Sequence, residues 1–151
     1  MSVTPIPQRF PTAAAIQSLD AALYLPLRRQ DWEIEVADAA RVGEFLDLYE
    51  CGKLDEDERF SLMSLVVASY DELLRESGDR GHHLWARIRR HLVDHFALHA
   101  YTVQGWSFPD EDDDYDPDEV FPFTPYAREV MAAKYGPRDC WPRRPFSVKR
   151  F

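Results

Sequence analysis

Apolar positions along the chain recur mostly at helical spacing. Ile16, Leu19 and Leu23 fall at i, i+3 and i+7 behind Thr12, whose hydroxyl suits a helix cap. They predict a helix to about Tyr24, stopped by Pro26. Val42, Phe45, Leu46 and Tyr49 form a second stripe, with Asp38 as candidate cap and Gly52 as the left-handed stop. Asp55 and Glu58 have the spacing of a capping-box variant, and the acids Asp55 to Glu58 complement the positive start of a helix. That helix runs to about Glu76, where Ser77-Gly78-Asp79 ends it. Its middle, Leu62 to Ala68, is apolar nearly all round, the pattern of a central helix packed on several sides. Leu84, Ile88, Leu92, Phe96, His99, Val103 and Trp106 then step by three or four residues, which predicts one long helix from about His82 to Trp106, stopped by Pro109. Thr124-Pro125 opens a last helix, with threonine as cap and proline in the first turn, and Gly136-Pro137 closes it.

Three stretches depart from this period. Trp32-Glu33-Ile34-Glu35-Val36 alternates apolar and acidic, the period of a strand, and reads as an isolated extended piece. Residues 1–11 carry Pro5, Pro7 and Pro11 and read as an extended arm; residues 137–151, with Pro137, Pro142 and Pro145, read as an extended tail. The expected fold is all-α: one domain over 1–151, a compact bundle of about five helices with an acidic loop between the last two. Its core should gather Phe60, Met63, Val67, Tyr70, Leu74, Ile88, Leu92 and Phe96. The aromatics of Phe121-Pro122-Phe123 should anchor the end of the acidic loop.

A hydrophobic fraction of 45% with 30% charged residues argues against disorder of the whole chain. The net charge of −9 is unevenly placed. Asp110, Glu111, Asp112, Asp113, Asp114, Asp116, Asp118 and Glu119 are eight acids in ten residues, interrupted only by Tyr115 and Pro117. Without them the chain has 19 acids against 18 bases, so nearly all the excess acidity sits in this segment. The tail leans the other way: Arg138, Arg143, Arg144, Lys149 and Arg150 face only Asp139. Nucleic-acid backbone binding is not expected, because it needs cations clustered over a sizeable surface. No apolar run approaches the roughly 20 residues of a membrane span, and no secretory signal is visible. Cys51 and Cys140 share no metal or redox spacing. The expected compartment is a bacterial cytoplasm.

Candidate chemistry is sparse. No phosphate-cradling glycine loop, nucleophile elbow or H-E-x-x-H occurs, and no enzymatic activity and no cofactor are expected. All five histidines lie between 82 and 99, and His91, His95 and His99 are spaced to share one helix edge. Two histidines four apart can hold a metal, but no glutamate lies between them as in a zinc protease, and no metal site is expected. At their place on the wheel His95 and His99 fall within the arc of Ile88, Leu92 and Phe96, where histidines fill the core boundary and bond to carbonyls or carboxylates. An EF-hand fails in the acidic segment, because Tyr115 stands where glycine must turn the loop and Phe121 where the bidentate glutamate belongs. The mix of aromatics and arginines in Trp141-Pro142-Arg143-Arg144-Pro145-Phe146 more simply packs the tail on the body than docks a base or a groove. This leaves Asp110 to Glu119, with Tyr115 among them, as the candidate partner-binding surface, negative and suited to a basic protein.

Trp32 to Asp38, Val42 to Glu50, Leu54 to Met63 and Phe123 to Arg128 together resemble small acidic bacterial immunity proteins, which bind and neutralise polymorphic secreted toxins. The resemblance spans about residues 31–130 and is one of size, acidity and helical content, and it assigns no residue roles. It implies a protein that blocks a cognate toxin domain by occlusion. The alternatives are a small metal-dependent enzyme using His91, His95 and His99, and an adaptor or regulatory subunit whose basic tail meets its acidic loop.

Overall fold

The computed structural model describes residues 4–26, 31–77, 82–107 and 121–143. Among these the chain is all-α, with seven α-helices and two short 3-10 turns and no strand. The helices are α1 (Ala13–Leu23), α2 (Trp32–Glu35), α3 (Val42–Tyr49), α4 (Glu56–Ser77), α5 (His82–Asp94), α6 (Phe96–Ser107) and α7 (Thr124–Tyr135). The count exceeds the expected five because the 32–36 stretch is helical and the long helix is two. The chain packs as two compact units, Phe10–His91 and a second made of Met1–Arg9 with Leu92–Phe151.

In the unit 10–91, α1, α2, α3 and the 3-10 turn Ala39–Arg41 all pack against α4. Every residue from Phe60 to Asp71 is buried. The serines in that run are satisfied locally: Ser61 Oγ donates to the Asp57 carbonyl (2.7 Å) and Ser64 Oγ to that of Phe60 (3.1 Å). Ser69 Oγ accepts from the Asp38 amide (3.0 Å), tying the turn before α3 to the central helix. The starts of α1 and α4 follow their sequence signals, whereas Asp38, the expected cap of α3, caps the 3-10 turn Ala39–Arg41 and α3 itself begins after Arg41 with no side-chain cap bond. Thr12 Oγ1 accepts from Ala15 N, Asp38 Oδ1 from Ala40 N, and Asp55 and Glu58 exchange both bonds of a capping box, Glu58 N to Asp55 Oδ1 (2.8 Å) and Asp55 N to Glu58 Oε1 (3.0 Å). Gly52 turns with φ +78°. On α5, Trp85 stacks on Tyr70 with ring centroids 6.3 Å apart.

In the unit 92–151, α6 packs against α7, and the turn Arg138–Cys140 returns to α7. Phe96 meets Tyr135 edge-on (5.6 Å), with Lys134 Nζ over the Phe96 ring. All eight expected core residues are buried.

Three local expectations are corrected. The alternating stretch Trp32 to Val36 is not extended. It forms one helical turn in which Trp32 and Val36, four apart, are buried while Ile34 between them is 51% exposed. A strand would have placed all three on one face. The Trp32 indole donates to Asp20 Oδ1 (2.9 Å), so tertiary contact with α1 outweighs the β-pattern.

The single helix 82–106 is interrupted at His95, whose carbonyl accepts from both Leu98 and His99. Neither proline nor glycine marks the break, and the three-or-four spacing runs straight through it. What changes is the burial pattern. α5 buries Trp85, Ile88 and Leu92 on one stripe, whereas α6 buries Phe96, His99, Ala100, Thr102, Val103, Gln104 and Ser107 around most of its circumference.

Thr124, finally, is not a cap but the first helical residue. Phe123 holds the cap position, and the entering turn is closed by backbone alone, Thr124 N to the Phe121 carbonyl and Ala127 N to that of Phe123. Burial of Phe123 sets this register. Thr124 is buried with it, and its Oγ1 makes no hydrogen bond among the described residues.

Candidate functional site

The candidate acidic surface, Asp110 to Glu119, lies outside the described residues, as do Arg144 to Phe151 of the basic tail. Both anchors of the acidic segment are described. On its N-terminal side Trp106 meets Phe121 and Phe123 edge-on, each at 5.9 Å, and Phe123 stacks on Tyr126 at 6.1 Å. Arg128 Nε donates to the Ser107 carbonyl (2.8 Å), so α7 holds the last residue of α6. The described residues on either side of 108–120 are thus held together by an aromatic cluster and by Arg128, with Phe121 and Phe123 packed on α6. The start of the tail is fixed too. Trp141 is buried, its indole donates to the Gly136 carbonyl (2.9 Å), Arg138 lies over its ring, and Gln104 Nε2 donates to the Pro142 carbonyl (3.0 Å).

The histidine stripe does not assemble. His95 sits at the helix break and is exposed, His99 is fully buried on α6, and His91 faces the α3–α5 junction. Among the described residues no group of three or more histidine, cysteine, aspartate or glutamate side chains is placed to hold a metal. Cys51 and Cys140 are both exposed thiols.

One polar cluster was missed by sequence reasoning. Glu50, just past α3, receives Arg87 Nη2 at 2.6 Å, Arg87 Nε at 3.3 Å and His91 Nε2 at 2.7 Å, with Arg90 Nη2 at 3.5 Å. Arg87 Nη2 also reaches Asp47 Oδ1 (2.9 Å). The Arg87 hydrogen bonds, aided by His91 and opposed by partial burial, hold the Glu50 carboxyl down at about 2. Tyr49 lies against the His91 ring (4.7 Å), and burial pushes its phenol up to about 12. Arg87 and His91 are one helical turn apart, which is the only signal the sequence carries. Their target lies some forty residues upstream, and nothing local points to it. With every group already paired to a neighbour, the cluster acts as a clasp between α3 and α5 rather than as a poised acid or base.

The class these features define is an all-α protein with one highly acidic segment. No family model, no curated protein and no solved structure matches the chain. No described helix is long and apolar enough to cross a membrane.

Proposed function

We propose that this chain is a bacterial immunity protein that binds a cognate toxin domain and occludes it, with Asp110 to Glu119 as the face that a basic partner meets. The observation that carries this reading is the charge placement: eight acids and no base in ten residues, on a chain otherwise near neutrality. A compact negative segment raises the encounter rate with a basic partner and sets its orientation. Tyr115 within it supplies an aromatic of the kind that anchors interfaces. The contacts of Trp106, Phe121 and Arg128 support the reading, because they fix the described residues from which the acidic segment departs and to which it returns. The reading also gives the protein a cytoplasmic site of action and no catalysis of its own.

The metal-enzyme alternative is less well supported, since His91, His95 and His99 face three different surroundings. Elemental analysis of dialysed protein checks it: stoichiometric zinc, iron or manganese would promote the enzyme. The test of the main reading is a search of the genes beside this one for a secreted toxin, followed by co-expression of the toxin domain with this chain; absence of any such gene would count against the reading. Restored growth of toxin-producing cells, with a complex of the two purified proteins, is the expected result. Toxicity undiminished despite folded protein would overturn it.

A further inference from the structure

We draw no further inference here: the strongest candidate, the side-chain cluster of Glu50, Arg87, Arg90 and His91 where the end of α3 meets α5, belongs to the site already described, in which these groups pair with one another.

Discussion

Leu92, Ile88 and Phe96 show what a sequence pattern specifies at the scale of one residue. Their spacing alone marks them as core, and all three are buried. Leu92→Ala is expected to destabilise the protein by about 2–5 kcal/mol, as large-to-small changes at such sites do. Urea unfolding measures this, and a loss below about half a kilocalorie would place Leu92 at the surface. Glu50 is the opposite case, a residue whose role no local pattern announces. Its carboxyl titrates near 2 in the fold against an ordinary 4.5. A depressed carboxyl stabilises above its unfolded value and loses that contribution as pH falls through the folded one. The clasp should therefore be fully effective above about pH 5 and decay between roughly 4.5 and 2. Its side chain is 26% exposed, so solvent screening brings the contribution down to about 1 kcal/mol. Glu50→Gln should be less stable than wild type at pH 7, and the two should converge near pH 2. Equal stability at pH 7 would reduce the clasp to surface decoration.

At the scale of elements, the signals that could be read early were those satisfied within a few residues. The capping box at Asp55 and Glu58, the left-handed Gly52 and the cap at Thr12 operate as their positions imply, while Asp38 caps the 3-10 turn that precedes α3 rather than α3 itself. Asp55→Ala should cost about 1 kcal/mol, measurable by chemical unfolding, because it strips the start of α4 of its acceptor. An unchanged midpoint would mean that the packing of α4 alone fixes its start. Where the pattern misled, a distant contact decided. The indole–Asp20 bond turned an alternating segment into a helical turn. Burial of Phe123 shifted the start of α7 by one position. The break at His95 has no local marker, and periodicity could not reveal that α5 and α6 are buried in different patterns.

For the whole molecule, charge was readable before structure and remains the main guide to function. The acidic segment lies outside the described residues, but its anchors at Trp106, Phe121 and Arg128 do not. The most direct test of the account neutralises Asp112, Asp113, Asp114 and Asp116 together to asparagine. Association rate with the proposed basic partner is then measured against salt concentration, for wild type and variant, alongside their melting curves. Exposed like charges repel one another and are screened within about a Debye length, roughly 8 Å at physiological salt. The account predicts slower association and a flatter salt dependence for the variant, with melting temperature nearly unchanged. Identical association rates would contradict it by removing the acidic segment from the encounter.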